Sequence, residues 1–279
     1  RKKSLNMEIP PVAAEPLFHI GSFPITNAYI NSTLAVILFV TIAIMIRTRI
    51  KDKPGRLQNA AEMVLEFLLG FFDQVTNDRA KSKRFFPIVG TLFLFILVSN
   101  WMGLLPGTGT IGIWQMHKGE MLLVPFLRSA NSDLNLTLAM AFVAVIGSHL
   151  IGIFTIGFFA HWNKFIQIGT LYRAIVSLKP MNIVTAVIEF VVGLIELMSE
   201  VAKVISLSLR LFGNIFAGEV LITVISSLIS FGVPVPFMFL EIIVGIVQAT
   251  VFSLLTLVYL TIATTKPEHG DEHETAPAH

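Results

Sequence analysis

The chain lacks most of what a soluble enzyme needs. None of its 279 residues is cysteine, which excludes disulfide bonds, iron–sulfur clusters and thiol catalysis. Only 14% of the residues are charged and 54% are hydrophobic; the mean hydropathy of +0.77 is far from the composition of a soluble globular domain. The sequence also lacks a P-loop, an HExxH motif and any pairing of a nucleophile with a base. We therefore predict a membrane protein with no catalytic site, no cofactor and no metal.

Long, predominantly apolar segments make up most of the sequence. Each is long enough, at about 1.5 Å per residue, to cross a hydrocarbon core of about 30 Å. One further segment, 57–75, carries three acids among its apolar residues and predicts an amphipathic helix on the inner membrane surface. The pattern predicts an all-α polytopic membrane protein with about five crossings. These crossings are 27–46, 85–105, 134–160, 181–231 and 237–264 of a single membrane domain, 27–264.

Basic residues predict the orientation. The loop after the first crossing is the densest basic loop in the chain, and loops of this kind stay in the cytoplasm. Five crossings then place the N-terminal segment 1–26 outside and the polar tail 265–279 in the cytoplasm. The basic residues of this loop are Arg47, Arg49, Lys51, Lys53 and Arg56.

The segment 181–231 is about twice as long as one perpendicular crossing requires. It is therefore either broken or strongly tilted, and its length leaves both readings open. Pro234 and Pro236 follow it and predict a turn before the last crossing, 237–264. The two segments together predict a hairpin of long, tilted helices.

Charged side chains form one stripe on that segment. Residues spaced by seven drift only about 20° around a helix at each step. Ser199 falls on the same stripe, and Asn214 lies one turn beyond its last member, whereas Glu219 faces another direction. The members of the stripe are Glu189, Glu196, Lys203 and Arg210.

Arg210 is the most informative residue of the stripe. Its guanidinium stays charged at any workable pH, and such a charge near the bilayer centre costs about 2.5–3.5 kcal/mol on insertion scales. No acid stands three or four residues away. Its counter-charge must therefore come from another helix or another chain, which indicates a functional role.

A second polar track lies on the last crossing, where Glu241, Gly245 and Gln248 share one helix face. An antiparallel hairpin would bring Glu219 and Glu241 to comparable depth. The two tracks then approach Arg210 from opposite membrane faces without forming one straight line. This layout predicts two offset half-channels rather than a through-pore.

Several other readings stay open at this point. Lone charges near helix ends often extend to the membrane surface, which fits Glu189, Glu200 and Lys203, and an intramembrane Glu–Lys pair can be purely structural. We interpret His149 as a hydrogen-bonded packing residue rather than a proton relay.

Two other classes of protein also place charges within the membrane. A proton- or sodium-coupled secondary transporter is the main alternative, but such proteins show repeated halves and the charge-rich segment occurs once here. A non-conducting assembly protein is the other alternative, and it would need these polar groups only to hold helices together.

The motif SLSLRLFGNIFAGE (206–219) resembles subunit a of the F-type rotary ATP synthases, the membrane stator of the Fo sector. The motif is highly specific, and together with the further matches it covers nearly the whole chain in order. These further matches are PLFHIGSFPITN (16–27), LFLFILVSNWMGLLPG (92–107), SDLNLTLAMA (132–141) and QATVFSLLTLVYLTIA (248–263).

The resemblance implies a role for each matching position. Arg210 matches the essential arginine that faces the carboxylates of the rotor. Glu241 stands where some relatives carry His, so whether it shares a proton with Glu219 is open. Other positions match the outer half-channel (Asn214, Glu219, Gln248 and Asp133) or the inner one (Glu196, with Ser199 nearby and Lys203).

The resemblance also implies the ion, the partners and the location. The chain is expected to carry an ion, most simply a proton, between the two sides of the membrane and to couple this flow to rotation and ATP synthesis. The expected partners are the rotor c-ring, the peripheral-stalk subunit b and membrane lipid, with no nucleic acid. A bacterial inner membrane is the expected location.

Overall fold

The structure is a computed structural model that describes residues 11–52, 54–105, 108, 111–117, 120–162, 180–229 and 232–265. The chain is an all-α polytopic membrane protein, which confirms the predicted fold class. Most of the tail predicted at 265–279, and residues 1–10 of the predicted outer segment, lie outside the described residues. Within the described ranges, four helices are long and apolar enough to cross a membrane: Asn27–Arg49, Arg79–Gly103, Leu134–Ile156 and Pro234–Thr264.

Helices account for most of the described chain. We number them in chain order, together with two short β-hairpins that the sequence did not predict. A 3₁₀ turn, Ala130–Ser132, precedes the fourth helix. The helices are α1 Asn27–Arg49, α2 Arg56–Thr76, α3 Arg79–Gly103, α4 Leu134–Ile156, α5 Phe158–Trp162, α6 Pro180–Leu228 and α7 Pro234–Thr264; the strands are β1 Pro16–Ile20, β2 Phe23–Thr26, β3 Gly112–His117 and β4 Glu120–Pro125.

Helix α6 corresponds to the predicted fourth crossing, 181–231. It is helical without interruption from Pro180 to Leu228, so the reading in which this segment is broken is wrong. The alternative, a strongly tilted crossing, stays a prediction. The chain then turns through Gly232, whose φ of +83° favours glycine, and re-enters helix at Pro234.

Local capping signals set the ends of the first three helices. The Thr26 hydroxyl accepts a hydrogen bond from the backbone N–H of Tyr29 at the start of α1, as N-cap residues do. Asp78 caps α3 in the same way through the N–H of Ala80. Helix α2 ends at Asn77 in the left-handed conformation, with φ of 51°. The capping residues explain why α3 starts six residues before the apolar segment that predicted it.

Two antiparallel hairpins stand before α1 and between α3 and α4. β1 pairs with β2 around a turn at Gly21, and β3 pairs with β4 in a regular register from Gly112 and Pro125 to His117 and Glu120. Two-stranded ribbons of this length are marginal on their own. They are additions to the helical fold.

The chain divides into two compact units. The first comprises residues 1–141 and 205–257. Its core is built from aromatic and aliphatic side chains of α2, α3, α6 and α7 that are almost fully buried. Burial of such apolar surface is the main stabilising contribution. The largest of these side chains are Phe72, Phe85, Ile96, Leu207, Leu211 and Phe252.

The second unit comprises residues 142–204 and 258–279. In its described part, α4 ends at Ile156 and the chain passes through Gly157, whose φ is +99°. The short helix α5 follows at once. This tight turn brings the side chain of His161 back against α4, where the missing side chain of Gly152 leaves room for its ring.

Candidate functional site

Arg210 lies on an exposed face of α6 in the first unit. Its Nη2 atom is 3.4 Å from the hydroxyl of Ser206, and its backbone carbonyl accepts a hydrogen bond of 2.8 Å from Nδ2 of Asn214. Among the described residues, Arg210 takes part in no ion pair. The structure thus places Arg210 and Asn214 together. Among the residues that the structure describes, no carboxylate of this chain pairs with the guanidinium.

The helix surface beside Arg210 is open. A methyl group at Gly213 would meet no atom within 4 Å, and Leu209 is 49% exposed. Small residues let another helix come close in a membrane. The face that carries the arginine can therefore accept a neighbouring helix.

Glu219 is paired with Arg128, a residue that sequence reasoning missed. The Nε atom of Arg128 donates to both carboxylate oxygens of Glu219, at 2.8 and 3.0 Å. The side chain of Arg128 is only 3% exposed and that of Glu219 25%. A signal existed in the sequence, because Arg128 is a basic residue in a loop that the positive-inside rule assigns to the outer side.

The guanidinium of Arg128 is also held by the N-terminal segment. Its Nη2 atom donates to the carbonyl of Pro11 at 2.9 Å and its Nη1 atom to that of Ala13 at 3.4 Å. The group also lies 5.9 Å from the ring centroid of Phe216, within the range of a cation–π contact. These contacts fix Arg128, and through it Glu219, in one place.

Glu241 lies on α7 against the backbone of Gly218. It is 7% exposed, and a methyl group at position 218 would overlap its carboxyl group. Glu219, the neighbour of Gly218 in the chain, therefore lies at similar depth to Glu241. This confirms the depth predicted for the two acids, but not the sharing of a proton.

Two other predicted outer residues lie in the same unit. Oδ1 of Asp133 accepts hydrogen bonds from the backbone N–H of Asn135 at 3.0 Å and from its side chain at 3.2 Å. Asp133 therefore occupies a capping position just before α4. Gln248 is half-buried on α7. Their assignment to the outer half-channel stays a prediction.

The predicted inner residues belong to the second unit. The hydroxyl of Ser199 donates to the carbonyl of Glu196 at 2.7 Å. Lys203 donates to Oε1 of Glu200 at 2.5 Å and lies 5.1 Å from the ring centroid of Tyr259. Lys203 and Glu200 therefore form an ion pair with each other, which corrects the reading in which each extends alone to the helix end.

His149 connects this pair to a second histidine. Its Nε2 atom is 3.2 Å from Oε2 of Glu200, and its Nδ1 atom is 3.1 Å from Nε2 of His161. The prediction that His149 is hydrogen-bonded is confirmed. Sequence reasoning missed His161, because only the turn at Gly157 brings it back to α4.

A small recess of about 30 Å³ opens beside these groups, enough for one water molecule by the usual measure. Its walls come from α4, α5, α6 and α7 within the second unit. They are formed by Ser148, His149, His161, Glu196, Glu200, Lys203, Tyr259, Ile262 and Ala263.

Comparison with known proteins gives one family. The family model described as "ATP synthase A chain" matches residues 29–261. ATP synthase subunit a of Moorella thermoacetica is 29% identical over 244 residues, which cover 88% of this chain and 93% of the relative. The subunit of Gloeobacter violaceus is 29% identical over 259 residues (92% and 90%), and that of Geotalea daltonii is 31% identical over 234 residues (84% and 86%).

Proposed function

Because the chain belongs to the ATP synthase A chain family, we propose that it moves ions through two offset half-channels beside the rotor of an ATP synthase. It is a non-catalytic membrane subunit of that complex, and its family translocates protons in the Fo sector. We assign to this family function a route for the ion, a partner, which is the rotor, and the residues that bind or guide the ion.

The observation that carries the proposal is the state of Arg210. A permanent cation stands on an exposed face of an apolar helix, its Nη2 atom 3.4 Å from a hydroxyl and in no ion pair with the described residues. Such a charge is costly in a membrane unless an anion faces it. A carboxylate carried by a neighbouring chain supplies that anion, and the open surface at Gly213 leaves room for its helix.

The coupling follows from the electrostatics of a moving carboxylate. A rotor carboxylate crosses the lipid face only when a proton neutralises it, and it ionises favourably opposite a fixed cation. Arg210 is that cation, and it also blocks a direct leak between the two half-channels. Each proton that crosses releases about 2.3 kcal/mol per 100 mV of membrane potential, and this energy turns the ring.

The outer half-channel is assigned to the polar residues of the first unit. Arg128 holds Glu219 as a fixed carboxylate, and Glu241 is the neighbouring acid that can take up and release a proton. The remaining outer residues are Asn214, Gln248 and Asp133. The inner half-channel is assigned to Glu196, Ser199 and Lys203.

We further propose that the chain lies in a bacterial inner membrane with its N-terminus outside and its C-terminus in the cytoplasm, next to the c-ring and subunit b. The absence of cysteine makes a direct test simple, since any introduced cysteine is the only thiol of the chain. A cysteine at Leu209, beside Arg210, should form a disulfide cross-link with a cysteine placed on the c-subunit.

The decisive functional test replaces Arg210 by alanine in the intact complex. ATP-driven proton uptake by proteoliposomes should fall to background, while the subunit composition of the purified complex stays normal. Arg49→Ala is the matched control, since Arg49 is an exposed arginine in the last turn of α1 and its loss should leave pumping unchanged. Coupled pumping by the Arg210→Ala complex at the normal rate would refute the assignment.

A further inference from the structure

The second unit contains a continuous chain of polar side chains that the roles assigned above do not explain. It runs from His161 to His149 at 3.1 Å, from His149 to Glu200 at 3.2 Å, and from Glu200 to Lys203 at 2.5 Å. Each link is within or close to hydrogen-bond length. His161 is 3% exposed, so a buried imidazole begins this chain.

Only one hydrogen can lie between the two histidine rings. The facing atoms are Nδ1 of His149 and Nε2 of His161, so one ring donates and the other accepts. A proton taken up by either ring can therefore pass to the other along this bond. On the far side of His149, its Nε2 atom faces the carboxylate of Glu200, which stabilises the added charge.

The surroundings keep this pair in place. The ring of His161 occupies space that a side chain at Gly152 would fill, since a methyl group there would lie 2.8 Å from Cε1 of His161. Lys203 fixes the opposite oxygen of Glu200. The carboxylate therefore keeps one oxygen directed at His149.

In place of the packing role that the sequence predicted for His149, we propose that His149 and His161 form a proton-binding relay of the inner half-channel, with Glu200 as its fixed counter-charge. The inference rests on the proposed function and extends it to three residues. The recess beside the pair has room for one water molecule, and Glu196, the residue already assigned to the inner path, lines the same recess. The proton enters on one ring, crosses the shared hydrogen bond and leaves from the other, so no bond other than N–H or O–H changes.

Proton flow through the relay should depend on the pH at the cytoplasmic side, because the relay exchanges its proton with that side. The other charged groups near the pair set the electrostatic potential at the two rings. The titratable and charged groups that line the recess are His149 from α4, His161 from α5, Glu196, Glu200 and Lys203 from α6, and Tyr259 from α7.

The test compares His149→Gln and His161→Gln with the wild type in the intact complex, reconstituted in proteoliposomes. Glutamine keeps hydrogen bonds but carries no exchangeable charge. We expect each substitution to slow ATP-driven proton uptake about tenfold or more. Each should also flatten the dependence of uptake on the pH of the external medium, which contacts the cytoplasmic side of the complex in these proteoliposomes. His19→Gln is the matched control, since His19 is exposed on β1, and it should change neither quantity.

The possible results separate the relay from the function on which it rests. Normal flux in both glutamine variants, or slow flux with the wild-type pH profile, would overturn the relay while Arg210→Ala still abolished pumping. A wild-type complex that pumps Na⁺ instead of protons would overturn the relay and leave ion translocation standing. Normal pumping by Arg210→Ala would instead remove the proposed function itself.

A measurement on the wild type decides the matter if neither variant assembles. In ¹⁵N NMR of the complex with labelled histidine, the signals of two rings that share one N–H should change together as the pH of the sample is lowered. Signals of the two rings that stay constant as the pH is lowered would overturn the proposal.

Discussion

The Nε atom of Arg128 lies 2.8 Å from Oε1 and 3.0 Å from Oε2 of Glu219, although the two residues are 91 positions apart. The contact ties the loop before α4 to the C-terminal part of α6. It also gives the carboxylate of Glu219 a cationic partner that its own helix does not supply, since the guanidinium comes from elsewhere in the fold.

Replacing Arg128 by methionine should destabilise the protein. The substitution leaves the carboxylate of Glu219 in a largely buried place without its cation, and breaking a buried pair in this way costs about 3 kcal/mol or more. Thermal unfolding of the purified complex, followed by release of the subunit, should show a lower midpoint.

The double variant Arg128→Met with Glu219→Gln serves as the control for that loss. Removing both charges should restore part of the stability, because no unpaired ion is left. If the loss of stability in the double variant equalled the sum of the losses in the two single variants, the interaction between Arg128 and Glu219 would not be the source of the stability.

Gly218→Ala should impair proton translocation. The added methyl group would overlap the carboxyl group of Glu241, so the acid must move, and forced repacking costs about 1–3 kcal/mol. We expect slower ATP-driven proton uptake by proteoliposomes. Shortening the acid in the double variant Gly218→Ala with Glu241→Asp should recover part of the rate.

Gly213→Ala is the matched control on the same helix. A methyl group there meets no atom of the described chain within 4 Å, so the isolated subunit tolerates it. A Gly213→Ala complex with the thermal stability of the wild type beside a less stable Gly218→Ala complex would support the contact with Glu241. Equal thermal stability of the two variants would contradict it.

Asp133 allows capping and ion conduction to be separated. Asp133→Ala removes the oxygen that accepts from the N–H of Asn135, and loss of an N-terminal cap costs about 1 kcal/mol. Asp133→Asn keeps a capping oxygen but removes the carboxylate. We expect the alanine variant to lose both stability and proton uptake, and the asparagine variant to lose uptake alone. Normal uptake with asparagine would restrict Asp133 to a structural role.

The contact between α2 and α3 should weaken in acid. The Ser82 hydroxyl and the Arg79 guanidinium lower the pKa of Asp73 below its ordinary value of 3.8. Because the pKa is lower in the folded state, the carboxylate stabilises the fold at pH above 3.8, and this stabilisation disappears as the pH falls through the folded-state pKa.

A comparison of Asp73→Asn with the wild type tests this dependence of stability on pH. The variant should melt at a lower temperature than the wild type near pH 7, and the two melting temperatures should converge as the pH falls below 3.8 through the folded-state pKa of Asp73. Asp52→Asn, at an exposed aspartate before α2, should follow the wild type at every pH. A constant gap between the Asp73→Asn and wild-type curves would contradict the assignment.

Several features of the site followed from sequence spacing alone. Helix periodicity predicted that Asn214 lies one turn from Arg210, and its side chain does bond the carbonyl of that residue. The proline turn after α6 predicted that Glu219 and Glu241 lie at comparable depth, which the contact of Gly218 with Glu241 confirms. Both relationships depend on one helix or one hairpin, where the chain itself fixes the geometry.

The pairs formed between distant segments did not follow from spacing. Arg128 was overlooked because nothing in a loop sequence states which helix face it will meet. His161 was overlooked because its approach to His149 depends on a reversal at Gly157 and on the empty space at Gly152. In both cases the contact depends on how the helices are rotated about their axes and on the level at which they pack, and only the tertiary structure sets these.

The sequence by itself therefore determined the class of protein, the helices and the position of Arg210, an arginine within an apolar segment with no acid three or four residues away. Length and hydrophobicity fix these properties, because a bilayer requires apolar helices of a certain length and penalises any charge within them. The tertiary structure alone decided the partners: Arg128 for Glu219, Gly218 for Glu241, and the histidine pair for Glu200. A hydrogen bond or ion pair requires two atoms within about 3 Å, and only the packing of helices against one another brings distant residues that close.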